Sequence, residues 1–257
     1  MFVGRARADL GPKALVVVED DGERVRCAHV QRQGEADVRV AGLAACPSRA
    51  FDGVAQALGE LEARDGPLPA RAALVTADAT FRPAPGAAGP RPEIGGATLA
   101  WWSGLLARLG LDGAGVHPLL GAPLAELDLG ALRAPALCLQ VERRVAALLE
   151  VDRRSVRELE LHREGEHPLS PERCVAAIGP ACDELWLCGS GTDLSALGYA
   201  IAQGAGIWVR ILGLRADDAV AGVHGEGLAA IRGAARQAFG LAPSPWAGRP
   251  DRGLARL

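Results

Sequence analysis

Lysine is almost missing from this chain: Lys13 is the only one, and every other basic residue apart from the histidines is arginine. With abundant alanine and glycine, that bias reads as GC-rich coding rather than as a set of phosphate-binding forks. A charge excess is missing too. The 28 basic and 31 acidic residues leave a net charge of −3, which gives no electrostatic footprint for nucleic acid or anionic lipid. The six cysteines, Cys27, Cys46, Cys138, Cys174, Cys182 and Cys188, contain no CxxC pair and sit mostly inside apolar runs. Buried free thiols are expected, rather than a disulfide framework. The five histidines show no HxxxH or HExxH spacing, so zinc is unsupported. No apolar run reaches the ~18–20 residues of a membrane span, and no basic-then-apolar leader opens the sequence. A cytoplasmic protein is the expectation.

What is present is alternation of strand and helix patterns, twice over. Ala14 to Glu19 is an apolar run closed by the Asp20-Asp21-Gly22 turn, Glu23 to Val30 alternates, and Asp37 to Cys46 follows the turn at Gln33-Gly34. Phe51, Val54, Leu58 and Leu61 fall at helical spacing, and Ala72 to Thr76 reads as a short buried strand. The Pro, Gly and Ala-rich stretch from Arg82 to Gly96 reads as a loop. A helix with Leu99, Trp102, Leu106 and Leu109 on one stripe, a strand at Val116 to Leu120 and a short helix at Leu124 to Leu132 complete the half.

The second half repeats the order. Ala136 to Val141, Val145 to Val151 and Val156 to His162 are strands, and a helix starts at Ser170-Pro171-Glu172. Glu184 to Cys188 is a strand, Leu194 to Gln203 a helix, Ile207 to Leu212 a strand and Gly227 to Phe239 a last helix. Two copies of a β-β-β-α-β-α-β-α unit are therefore expected, over residues 1–134 and 135–257. A doubly wound α/β domain with an appended hairpin domain is the competing arrangement.

The duplicated unit resembles the actin and hexokinase superfamily, with its pair of ribonuclease H-like lobes and a cleft between them. Three stretches resemble the PilM-like branch that serves type IV pilus and type II secretion assembly. In Val17 to Val30, Glu19 stands where that branch carries an aspartate, Gly22 lies in the turn, and Val25-Arg26 stands for its Val-Lys step. Leu185 to Leu212 matches the strand, Gly-rich turn, helix, glycine and strand of the adenosine side. Gly227 to Gly240 is similar to the Gly-Leu-Ala-rich last helix.

The departures bear on function. The resemblance implies phosphate binding by the backbone N–H groups of two Gly-rich hairpin turns. Here the first turn is Asp20-Asp21-Gly22-Glu23, and the second is Val141-Glu142-Arg143-Arg144, with Leu139 expected where a metal-associated aspartate belongs. Like charges ~4 Å apart at an effective dielectric of ~20 repel by about 4 kcal/mol, so the acidic turn is expected to reject a triphosphate. Arg143 and Arg144 offset this without replacing the carboxylate. No cofactor is expected, and ATP with Mg²⁺ is disfavoured. Weak nucleotide binding at Gly189, Ser190, Gly191 and Thr192 stays open beside a plain strand–helix turn with Thr192 or Asp193 as N-cap. A Rossmann fingerprint fails at Leu194.

The expectation is a catalytically degenerate scaffold with no catalytic residue of its own. The resemblance implies as partner the cytoplasmic tail of an inner-membrane assembly protein, with the scaffold held at the membrane only through that partner. A homo-oligomer stays open. Two alternatives compete: an active kinase or ATPase holding Mg²⁺ through Glu19, Asp20 or Glu142, and an α/β enzyme with Cys188 or Ser190 as nucleophile and His162, His167 or His224 as base. Trp101 and the edge strands near Val38 to Leu43 and Val156 to Leu161 are candidate partner surfaces.

Overall fold

Seven consecutive buried residues, Ala14–Asp20, make β1 the central strand of the first sheet, covered on both faces. Beside it run β2 (Val25–Gln33) and β3 (Asp37–Cys46), both antiparallel to their neighbours, and on its other side β4 (Arg71–Thr76), which is parallel to it. α1 (Phe51–Asp65) links β3 to β4. Beyond β4 come a hairpin of β5 (Ala79–Arg82) and β6 (Arg91–Ile94), α2 (Gly96–Arg108) and β7 (Asp112–Pro118). The sheet order is β3-β2-β1-β4-β7. The computed structural model describes residues 13–35, 37–47, 49–82, 91–127, 132, 135–152, 156–163, 171–178, 183–190, 192–212 and 227–246.

The second half builds the same object. Its strands are β8 (Ala136–Val141), β9 (Val145–Val151), β10 (Val156–Arg163), β11 (Glu184–Gly189) and β12 (Trp208–Ile211). Their order is β10-β9-β8-β11-β12, with β8, β11 and β12 parallel. α3 (Pro171–Ile178) and α4 (Leu194–Ala205) make the crossovers, and α5 (Ala229–Ala238) closes the described chain. Two sheets with one strand order are the duplicated ribonuclease H-like arrangement that the element order predicts.

Three local expectations change. The loop expected from Arg82 to Gly96 carries the β5–β6 hairpin, whose four-residue strands are too short to show a period. β7 starts at Asp112, four residues before the apolar run at Val116, because Asp112 and Gly113 pair with Arg71 and Ala72 at the sheet edge. The helix expected from Leu124 is a 3₁₀ turn at Ala122–Glu126 with Pro in its first positions.

The outer faces are covered conventionally. α1 and α2 bring Val54, Leu58, Leu61, Trp102 and Leu106 onto Val16, Val18 and Leu74 of the first sheet. α4 brings Leu194, Leu197 and Ile201 onto Leu139, Leu185 and Leu187 of the second. The inner faces share two crossing connectors. α5, from the second half of the sequence, lays Ile231, Ala234 and Ala235 on Leu15, Val17, Val30 and Val75 of the first sheet. The segment after β7 lays Leu120 and Leu124 on Cys138, Leu149 and Cys188 of the second. The connectors touch at Gly233, where a methyl would collide with the Ala122 carbonyl, and Arg232, fully buried, pairs with Glu126.

Candidate functional site

The hairpin turns after β1 and β8 are register equivalents. Asp20 pairs with Val25 and Val141 with Ala146. Each turn is closed alike, by Asp21 N–H to Arg24 O at 3.2 Å and Glu142 N–H to Val145 O at 2.8 Å. Asp21 therefore matches Glu142, and Glu19 matches Gln140. This corrects the expectation for Leu139, which lies one residue earlier and, by the alternation of a strand, points into the core under α4.

In the first turn the acidic residues hold their own backbone. Asp21 Oδ1 accepts from Glu23 N at 2.9 Å and Arg24 N at 2.8 Å, and its Oδ2 accepts from Arg24 Nε at 3.1 Å. Asp20 Oδ1 accepts from Gly22 N at 3.0 Å and Arg49 Nε at 2.9 Å, and its Oδ2 from Thr76 Oγ1 at 3.1 Å. Burial pushes the Asp20 carboxyl above its usual range, against the pull of Arg49. Gly22 has φ 92°, a left-handed conformation that favours glycine, and its Cα lies against the Arg144 side chain, where an added methyl would meet Cδ at 2.8 Å and turn the arginine aside.

Glu19, just behind this turn, is fully buried and paired inside the lobe. Arg26, opposite it on β2, donates to Glu19 Oε1 from Nε at 2.9 Å and Nη2 at 2.5 Å, and Nη2 also reaches Gly227 O at 3.3 Å. Burial raises the Glu19 pKa although Arg26 opposes the rise. Glu19 Oε2 is buried with no hydrogen-bond partner among the described residues.

In the second turn Glu142 plays the part of Asp21. Its Oε2 accepts from Ser190 N at 3.1 Å and Ser190 Oγ at 2.8 Å, and its Oε1 from Gln140 Nε2 at 2.6 Å. Gln140 is held in turn by Gly121 N and Leu119 O, at 2.7 and 2.9 Å. Burial, and then the nearby Glu19 charge, push the Glu142 pKa up to about 7. Gly189 lies so close to β8 that a methyl would collide with the Val141 carbonyl, and its φ is 124°.

The two turns also join directly. Arg143 Nε stands 3.4 Å from Asp21 Oδ2 and its Nη1 donates to Glu23 Oε2 at 3.3 Å. The acidity expected of the first turn is thus offset by a guanidinium from the other lobe.

Ser190 is buried against Glu142, Thr192 is exposed, and Gly191 lies outside the described residues. Asp193, one of the two N-cap candidates, caps α4 by accepting from Ser195 N and Ala196 N. Cys188 is fully buried with its Sγ 3.7 Å from Cys138 Sγ, and burial raises its thiol pKa, which removes the thiolate a nucleophile needs. Ser190 Oγ bonds a carboxylate. The side chain of His162 and residues His167 and His224 lie outside the described residues, as do the side chains of Arg157, Glu158 and Glu160. Trp101 is half exposed and meets the buried Trp102 edge to face at 4.7 Å. β3 and β10 are sheet edges as expected. No described helix is long and apolar enough to cross a membrane.

The reading from sequence missed Gln140 and Ser190 as partners of Glu142, and Asp21 as the acceptor for its own turn. Only the Asp-Asp-Gly run signalled part of it, since Asp side chains bond backbone N–H groups two residues on.

No protein-family model matches the sequence, and no curated protein matches it. Solved structures do match in fold. A chain of the PilM–PilN type IV pilus biogenesis complex is similar with TM-score 0.60 and 12% identity, covering 91% of this chain and 99% of that one. Ethanolamine utilization protein EutJ from Carboxydothermus hydrogenoformans matches with TM-score 0.53 and 12% identity over 89% and 91%. The activator of 2-hydroxyisocaproyl-CoA dehydratase from Clostridium difficile, with bound ADPNP, matches with TM-score 0.53 and 10% identity over 88% and 94%. The fold is that of the actin-like ATPases.

Proposed function

We propose that this protein is an actin-like scaffold that has given up nucleotide hydrolysis and docks a short cytoplasmic peptide of an inner-membrane assembly protein. One observation carries the first half of this reading: both phosphate-type turns already hold a carboxyl group of their own. Asp21 takes two N–H groups of the first turn, and its register mate Glu142 takes the Ser190 N–H beside the second. A triphosphate arriving there would have to displace carboxylates from donors they meet without losing translational freedom. The metal side fits no better. The position matching Glu19 is an amide, Gln140, with both ends hydrogen-bonded, and Glu19 is held by Arg26. These residues do not fit a magnesium nucleotide.

The partner class rests on the likeness in fold to the PilM–PilN complex. A two-lobed platform needs no hydrolysis to hold a peptide. The expected result of calorimetric titration with ATP and Mg²⁺ is no binding and no turnover at millimolar nucleotide. Micromolar binding, with turnover abolished by Glu19→Ala, would establish an active kinase or ATPase instead. For the partner, fluorescence anisotropy with ~25-residue cytoplasmic tails of single-span membrane proteins encoded beside this gene is expected to show one-to-one binding. Failure of every such tail would remove the docking role while leaving the loss of hydrolysis standing.

A further inference from the structure

β12 is the last strand of the second sheet, and its sequence is self-complementary. Its inner side is paired: the Trp208 and Leu212 N–H groups bond Asp183 O and Leu187 O across the junction with β11. By the alternation of a strand, the N–H and C=O of Val209 and Ile211 point away from the sheet. Among the described residues no strand lies beyond them. Trp208 is 81% exposed, the most exposed of the large apolar side chains described. It shares a face with Arg210, whose guanidinium stands 5.4 Å from the Trp186 ring centre and pairs with Glu184.

We propose that β12 pairs antiparallel with β12 of a second copy of this chain, about a two-fold axis at Val209, to make one continuous sheet. The outward groups dictate this register. Val209 meets its own copy as a hydrogen-bonded pair, and Ile207 meets the partner's Ile211 in the same way. Trp208 and the partner's Arg210 then fall at a non-hydrogen-bonded site, where side chains approach most closely. Across the seam the exposed face reads Glu184, Trp208, the partner's Arg210, the partner's Trp186, and the axis repeats that row in reverse. Each guanidinium is sandwiched between two indoles while keeping its carboxylate, an arrangement that favours arginine over lysine.

Charge and shape both single out a second copy as occupant. An unrelated strand would have to bring an arginine and a tryptophan two residues apart, which β12 itself supplies. On the other face, Gly204 of α4 packs against Val175 of α3. At 100° per residue Tyr199 lies ~140° around α4 from Gly204, on the flank turned toward the open edge, and it is 70% exposed. Two copies of α4 would bring both tyrosines to the seam. A four-residue edge with these flanks is a small interface, so association in the micromolar range is expected.

The test is sedimentation of the full chain over a concentration series. Wild type is expected to shift from 26.6 kDa toward twice that mass. Trp208→Arg sets guanidinium against guanidinium and should weaken association at least about tenfold, while the double variant W208R/R210W restores the indole–guanidinium pair and the dimer. Val209→Pro removes one outward donor at an edge position that tolerates proline, and should also yield monomer. A wild type that stays monomeric to high concentration overturns the proposal. So does a dimer indifferent to Trp208→Arg and Val209→Pro, or a double variant that remains monomeric while folded.

Discussion

Arg143 of the second lobe lies 3.4 Å from Asp21 and 3.3 Å from Glu23 of the first, so the tips of the two hairpin turns are tied together by protein charges alone. This contact joins the hairpin of one sheet to the hairpin of the other directly. Arg143→Glu should therefore open the lobes more than it destabilises them. The guanidinium and Glu23 are both over a third exposed, which limits the pair to about 0–1 kcal/mol, and Asp21 keeps Arg24. Small-angle scattering should show a larger radius of gyration for the variant, with a restored value in the double variant R143E/E23R. An unchanged radius in Arg143→Glu would mean the crossing connectors alone set the angle.

The pair behind that turn answers differently because it is dry. Arg26→Met leaves the fully buried Glu19 without its guanidinium, and a loss of about 3–5 kcal/mol in urea unfolding is expected. The double variant E19M/R26M removes both charges and should recover most of that loss. Equal losses in the single and double variants would show that the carboxylate is not held by charge pairing.

Much of this architecture is readable from the chain, and the exceptions have physical reasons. The strands β1 and β4 announce themselves as short apolar runs buried on both faces, and β3, α1 and α2 by a periodic face laid on a neighbour close in sequence. α5 is visible as an Ala-rich helix, but that it lies on the sheet of the other half is set by contacts some two hundred residues away, such as Arg26 to Gly227 O. Leu139, expected where a metal-associated aspartate belongs, lies one step before the register mate of Glu19: a strand's side chains alternate, so that step exchanges a core leucine for the buried amide of Gln140. The charge of the first turn was legible. So was the offset by Arg143, but not its contact with Asp21 and Glu23, because which residues of the two halves meet depends on how the connectors cross.

Glu142 gives the site a pH signature. Its folded pKa of about 7 lies above the ordinary carboxyl value of 4.5, so between those values the folded protein keeps a proton the unfolded chain has released. Stability is therefore lost as pH rises through that window, at a slope of at most about 1.4 kcal/mol per pH unit. His117, held down to about 4 by burial, acts in the opposite sense, losing stability as pH falls below 6.5. The two are separated by comparing wild type with Glu142→Gln across pH 5 to 8: the difference in Tm between them should change with pH and level off above pH 7.5. A constant difference would place the titration elsewhere.

Two glycines in helices should respond to the same substitution with opposite signs. Gly104 is exposed on α2 with no described residue within 4 Å of an added methyl, so Gly104→Ala should stabilise by about 0.5–1 kcal/mol, through backbone entropy alone. Gly233 sits where α5 crosses the 3₁₀ turn, and a methyl there meets the Ala122 carbonyl, a backbone atom that cannot rotate aside. Gly233→Ala must lift α5, and with it the buried Arg232–Glu126 pair and the contact of Ile231 with the first sheet, so a loss of about 1–3 kcal/mol is expected. Because that crossing also sets the angle between the lobes, hydrogen exchange in Gly233→Ala should quicken in the Asp20–Arg24 turn as well as in α5. Exchange confined to α5 would mean the crossing holds the helix but not the cleft.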